Sequence, residues 1–169
     1  DTRFGPFVHA QLYPGQENSG RLVTLLKQQA RELAKRQGLD LVICDGSPGV
    51  GCPVISSLSG ANLAVAVVEP TPSGRHDFER VAALCDHFRI PVAVLINKAD
   101  LNHEEVQAIT RLADDRDYTV VGALPFDPAV TEAMIRRKAL TETDSPLAST
   151  LSAIWGRIRE LAYAPRKRG

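Results

Sequence analysis

The sequence predicts an α/β domain in which a mostly parallel sheet is covered by helices on both faces. Three observations predict it. Short runs of Val, Ile, Leu and Ala alternate with longer stretches whose apolar residues recur every three or four positions. The short runs are apolar on both faces, as strands buried between helical layers are. Loops rich in Gly, Pro, Asp and Asn separate the segments, the punctuation of repeated strand–helix units. A chain of 169 residues is long enough for one such domain, since about 70% of the unfolded surface is hidden at this size.

The elements follow in order. Residues 8–13 read as a strand. Pro14 and Gly15 turn the chain, and Ser19 is placed to cap a helix to Gln37. That helix puts Leu22, Leu25, Leu26, Ala30, Leu33 and Ala34 on one face, and Gly38 ends it. Residues 39–44 form a second apolar run, 45–53 a loop, and a short helix follows to Leu58. Residues 62–68 are the third strand, followed by a helix over 74–88 packing through Phe78, Val81, Ala82 and Leu84. Residues 91–96 are the fourth strand. Asn102 caps a helix to Asp115, with Glu105 completing a capping box. Residues 118–124 are the fifth strand, stopped by Pro125. Asp127 and Pro128 open another helix, and a last helix over 146–162 carries a stripe of Leu147, Leu151, Ile154, Ile158 and Leu161.

Composition excludes several classes. Lys plus Arg number 20, as do Asp plus Glu, so no general field draws the chain to nucleic acid or to an anionic membrane. The basic run Arg166, Lys167, Arg168 reads as a solvated tail. No apolar run reaches the roughly 20 residues of a membrane span. Cys44, Cys52 and Cys85 show neither CxxC spacing nor a disulfide framework, which predicts a reducing, cytoplasmic location. His9, His76, His87 and His103 have no metal-ligand spacing. The chain begins at Asp1, and its natural N-terminus is expected to lie upstream.

In open α/β sheets, ligands bind beyond the C-terminal ends of the strands. The second run ends in Asp45, followed by Gly46, Ser47, Pro48, Gly49, Val50 and Gly51. A carboxylate at a strand end holds Mg²⁺, often through water. The glycines let backbone approach a phosphate. An Asp turn punctuated by Gly and Pro is the structural alternative. The fourth strand is followed by Asn97, Lys98, Ala99 and Asp100. This is an NKxD base-recognition pattern: the carboxamide bonds the purine, the lysine stem lies along it, and in GTPases the aspartate accepts from guanine. The alternative is a polar loop before a helix. Pro125, Phe126 and Asp127 are placed to wall the base, or simply to make a capped turn. The loop from Glu69 to Gly74 borders the same crevice or serves only as a turn.

The stretches ENSGRLVTL, LVICDGSPGVGCPVISSLSGANL, VEPTPSGRHDFERV, INKADLN and PFDPAVTEAM, in this order, closely resemble the MinD/ParA-like P-loop ATPases that carry an inserted ferredoxin domain. The likeness runs to about Lys138. It implies a P-loop NTPase fold of the SIMIBI/MinD type, ATP and Mg²⁺ as ligands, and homodimerisation around ATP. It also implies an iron–sulfur or redox partner. Asp45 would serve Mg²⁺ and the attacking water. Gly46 to Gly51 would sense the γ-phosphate. Asn97 and the loop of Pro125, Phe126 and Asp127 would border adenine. The chain departs from that pattern in having no GKGGxGKT loop and no cysteine motif for [4Fe–4S] clusters. The expectation is a C-terminal portion of the ATPase domain, incomplete and inactive alone. GTPase activity through NKAD and a non-catalytic interaction module remain the alternatives.

Overall fold

The computed structural model describes residues 2–10 and 19–165. They form two compact units, Asp1–Ala61 and Asn62–Gly169.

In the first unit, helix α1 (Ser19–Gln37) packs against the short helix α2 (Cys52–Leu58). Ser19 is the first helical residue of α1 rather than its cap. Gly38 takes a left-handed φ of 66° just past the end of α1, where a side chain would be strained. Gly20 brings the two helices close: a Cβ there would stand 3.2 Å from Cys52 Cβ and 3.1 Å from Ser56 Oγ. Ala34 is buried as expected, but Leu25 is exposed. The deeply placed residue is instead Lys27, 9% exposed. Its ammonium donates to the carbonyls of Ser56 (3.0 Å), Ser57 and Ser59 (2.7 Å). These carbonyls lie at the end of α2, where helix geometry leaves acceptors without partners and the helix dipole is negative. Burial holds the Lys27 pKa below its ordinary value.

The strand expected over 39–44 is not formed; these residues have no ladder. An extended run becomes a strand only when a neighbour meets its N–H and C=O groups. No described residue does so, and Ile43 is 73% exposed. The strand expected over 8–13 likewise has no ladder at 8–10, and its remainder lies outside the described residues.

The second unit holds a parallel sheet of order β1-β2-β3, made by β1 (Ala64–Val68), β2 (Val92–Asn97) and β3 (Thr119–Leu124). Three strands, joined by two ladders, thus stand among the described residues where five strands were expected. Helices α3 (Pro72–His87) and α4 (His103–Asp115) make the crossovers. Helix α5 (Pro128–Ile135), a 3₁₀ turn (Leu140–Glu142) and α6 (Pro146–Tyr163) follow β3. Helix α3 starts two residues before the expected Gly74, because Thr71 caps it and Pro72 fills the first turn.

β2 is central and buried along its length. Ala93 and Leu95 join Val121, Leu124, Leu147 and Ile154 in the core under α6. Alternation turns Val92, Val94 and Ile96 to the other face, where α3 and α4 pack and bury Phe78, Ala82, Cys85, Ile109 and Ala113. A bulge shifts the β2–β3 register, pairing Val94 with Val120 and Leu95 with Gly122. The extra residue, Val121, thereby joins the α6 side. Gly122 is required by packing: a Cβ there would meet Ile154 Cγ1 at 2.6 Å. On its outer side β1 has no strand partner among the described residues, and Val67 is 62% exposed.

Two stability predictions follow from this packing. Gly122→Ala should cost roughly 1–3 kcal/mol by overpacking, whereas Gly156→Ala, which meets nothing within 4 Å in mid-helix α6, should stabilise by about 1 kcal/mol. Urea unfolding measures both, and equal effects would contradict the Gly122–Ile154 contact. Burial also pushes the Cys85 thiol from 9.0 up to about 11. The folded chain then keeps a proton that the unfolded chain loses, so this contribution is complete below pH 9.0 and lost as pH rises through about 11. Cys85→Ala should flatten the fall in stability over that window, as read by unfolding midpoints against pH.

Candidate functional site

Because β1, β2 and β3 are parallel, the loops leaving their C-terminal ends emerge along one edge. Three contacts tie these loops together. After β1, the Glu69 carboxylate pairs with the Lys98 ammonium of the loop after β2 (2.8 Å). The Ala99 N–H donates to the Leu124 carbonyl at the end of β3 (2.8 Å). The Phe126 N–H donates to Asp100 Oδ1 (2.6 Å).

Local geometry fixes each partner. Gly74 lets the first turn of α3 sit against the Glu69 carbonyl, since a Cβ there would stand 2.3 Å from that oxygen. Lys98 has a left-handed φ of 56° without being glycine, a conformation of order 1 kcal/mol or more above the ordinary regions. It is held by the flanking pairings of β2 and by Glu69. Asn102 caps α4 by accepting from the N–H groups of Glu104 and Glu105. The Glu105 carboxylate goes to Arg75 of α3 at 2.8 Å, so it links two helices rather than closing the expected capping box. Asp127 caps α5, accepting from the Ala129 N–H at 2.8 Å.

Of the sequence-predicted residues, the second unit thus gathers Asn97, Lys98, Pro125, Phe126 and Asp127 along one sheet edge. Asn97 ends β2 half-buried, and its carboxamide has no partner among the described residues. Phe126 is 56% exposed, an aromatic face open to a ligand. Lys98 is engaged by Glu69, so its ammonium is held away from free rotation. Sequence reasoning set the Glu69 loop beside the crevice but missed this ion pair. Its signal was a carboxylate and a lysine each one residue past the end of adjacent strands.

Asp45, Gly46, Pro48, Gly49 and Gly51 belong to the first unit. Residues 45–47 have no regular structure and 48–51 are bends. Asp45 is an exposed carboxylate, but it does not follow a formed strand. Gly49 has a φ of 88°, so glycine is needed there. Gly51 precedes α2, and its carbonyl accepts from the N–H groups of Val54 (3.0 Å) and Ile55 (3.2 Å). A cleft of about 490 Å³ opens at the opposite, N-terminal edge of the sheet between Leu63, Ile90, Pro91, Tyr118 and Leu161. It contains none of the predicted site residues.

The fold is that of MinD-type P-loop proteins. The MinD cell division protein of Aquifex aeolicus superposes with a TM-score of 0.66 at 20% identity, covering 86% of this chain and 64% of that one. The cell division ATPase MinD of Pyrococcus furiosus gives 0.67 at 18% identity over 85% of this chain and 59% of its own. The chain is also similar in sequence to two uncharacterized proteins of Methanocaldococcus jannaschii. One, MJ0578, is 26% identical over 92% of this chain and 51% of its own length. The other, MJ0579, is 26% identical over 54% of this chain and 35% of its own length. No protein-family profile matches the chain. The chain therefore spans about half of one of these curated relatives and about a third of the other.

Asp127→Ala should remove a helix cap and cost about 1 kcal/mol. Glu69→Gln, which loosens a partly exposed ion pair, should cost less than about 1 kcal/mol. Chemical denaturation that ranks Glu69 above Asp127 would contradict these roles.

Proposed function

We propose that the chain is the C-terminal part of a MinD-like nucleotide-binding ATPase domain, with the loops after β2 and β3 forming its adenine end. The observation that carries this reading is the Asn97 carboxamide at the C-terminal edge of a parallel sheet, without a partner among the described residues, in loops tied to the exposed Phe126. A carboxamide offers one acceptor and two donors, which suits the mixed edge of adenine. The ring of Phe126 and the backbone of Pro125 and Asp127 supply a wall. The MinD-type fold supports ATP as the ligand.

In this proposal Asp45 orients the attacking water and holds Mg²⁺, and Gly46, Pro48, Gly49 and Gly51 form the loop that responds to the γ-phosphate. A single exposed carboxylate beside a glycine-rich loop fits a cation that keeps most of its waters. Mg²⁺, when bound, supplies charge neutralisation on the phosphates. Phosphate binding also needs donors that these 169 residues do not encode as a P-loop. Hydrolysis would drive a dimer switch, with ATP held between two copies. We place the protein in the cytoplasm. Among the described residues no helix is long and apolar enough to cross a membrane.

Iron–sulfur clusters do not fit the residues described. They hold no group of three or more His, Cys, Asp or Glu able to grip a metal, whereas a cluster takes four thiolates. In this proposal a redox link runs through clusters carried elsewhere in the parent protein or by an iron–sulfur partner.

In the ATPase assembled with its phosphate loop, Asp45→Ala should abolish turnover. Asn97→Ala should raise KM for ATP about tenfold with a smaller change in kcat, the loss of one or two ligand hydrogen bonds. Steady-state hydrolysis assays check both. Unchanged KM in the Asn97 variant would remove the adenine assignment, and unchanged turnover in the Asp45 variant would remove the catalytic one.

A further inference from the structure

The first unit buries a lysine, and all of that lysine's donors are engaged. Lys27 lies in the middle of α1, and its ammonium donates to the carbonyls of Ser56 (3.0 Å), Ser57 and Ser59 (2.7 Å) at the end of α2. An ammonium has three donors, so none remains for another partner. About one turn further along α1, Arg31 donates to the Gly60 carbonyl at 2.8 Å, in the open. About two turns before Lys27, Gly20 meets the start of α2 at Cys52. Helix α1 therefore holds α2 at both ends.

The loop of Asp45 rests on that clamp. A Cβ on Gly46 would stand 3.8 Å from Ser57 Oγ, an ordinary van der Waals contact. The backbone just after Asp45 thus lies against the residue whose carbonyl Lys27 holds. Ser57 Oγ is itself fixed by donating to the Val54 carbonyl at 2.9 Å. Just before Asp45, Cys44 lies close enough to act electrostatically on the Lys27 ammonium. Both chain neighbours of Asp45 approach the clamp, while the carboxylate between them stays exposed. A lysine with a donor to spare would pair with that carboxylate and neutralise it. Held by three carbonyls, Lys27 instead leaves the charge of Asp45 available to a cation. Residues 45–47 have no regular structure, so this seat takes the place that a strand end would have.

We infer that Lys27 is a positioning residue for Asp45: by fixing the end of α2 it fixes Ser57, and through Ser57 the backbone at Gly46 that sets where the Asp45 carboxylate stands. Its part in hydrolysis rests on the reading of Asp45 given above, but the seat itself does not.

Two readouts test it. The first is the backbone NMR order parameter at Asp45 and Gly46 in the 169-residue chain, unaltered and as Lys27→Met, Lys27→Arg and Arg31→Met. In the unaltered chain both residues should lie well above the flexible range, which begins below about 0.6. They should fall into that range in Lys27→Met and recover in Lys27→Arg, which keeps the charge and the donors. They should stay unchanged in Arg31→Met, because the Gly60 carbonyl lies beyond Ser57. Lys27→Gln replaces Lys27→Met if that variant does not fold. The second readout is steady-state hydrolysis by the ATPase assembled with its phosphate loop. Lys27→Met should lower kcat about tenfold or more, as misplacement of a reacting group does, and change KM for ATP less than about twofold. Lys27→Arg should restore most of kcat, and Arg31→Met should leave both constants as they are. Urea midpoints measure any loss of stability separately. Order parameters that match between Lys27→Met and the unaltered chain overturn the seat. Unchanged kcat in Lys27→Met, where Asp45→Ala abolishes turnover, overturns the positioning role, as does an equal loss in Arg31→Met. Unchanged turnover in Asp45→Ala removes the reading of Asp45 and with it the part of Lys27 in hydrolysis, while the order parameters alone still decide the seat.

Discussion

The structure depends on the hydrogen-bond demand of one strand. β2 is buried along its length and is paired on both sides, to β1 and to β3, in parallel. A buried backbone must find partners for every N–H and C=O, and parallel pairing forces each connection to cross over through a helix. These two facts put α3 and α4 where they are. They also bring the C-terminal ends of all three strands to one edge, so that Glu69, Asn97 and Pro125 become neighbours along a line despite wide separation in sequence.

Once the loops share an edge, short-range chemistry locks them. Glu69 to Lys98, Ala99 to Leu124 and Asp100 to Phe126 are each a single contact. The exposed ion pair among them contributes little stability on its own. Their value lies in preorganisation: loops already ordered lose less entropy when a ligand arrives. The left-handed backbone at Lys98 is the local strain that this ordering sustains.

Much of this was legible in sequence, for identifiable reasons. Helices α1, α2, α4, α5 and α6 announced themselves through periodicity, proline in the first turn and capping residues such as Asn102 and Asp127. The strands of the second unit were legible as apolar runs. What was not legible required knowledge of neighbours. Residues 39–44 have the composition of a buried strand, but composition does not supply a hydrogen-bonding partner. Lys27 falls among apolar positions and is buried because its ammonium ends α2, which no periodicity reveals. Gly122 looks like a weak point in a strand and is instead the space that Ile154 occupies. For the proposed site, Asn97 and the loop of Pro125, Phe126 and Asp127 were picked out by their place after strands, and the structure sets them along one sheet edge. The use of Asp100 and Lys98 by other loops was not, since NKAD read alone suggests groups turned to a ligand.

The central claim is that the C-terminal edge of β1, β2 and β3 holds the base of a nucleotide. Backbone chemical-shift mapping of the isotope-labelled chain titrated with Mg·ATP tests it most directly. The account predicts saturable shifts concentrated at Asn97, Ala99, Phe126 and Asp127, with the cleft around Leu63, Ile90 and Leu161 unmoved. Shifts clustered in that opposite cleft, or spread without pattern over the surface, would contradict it.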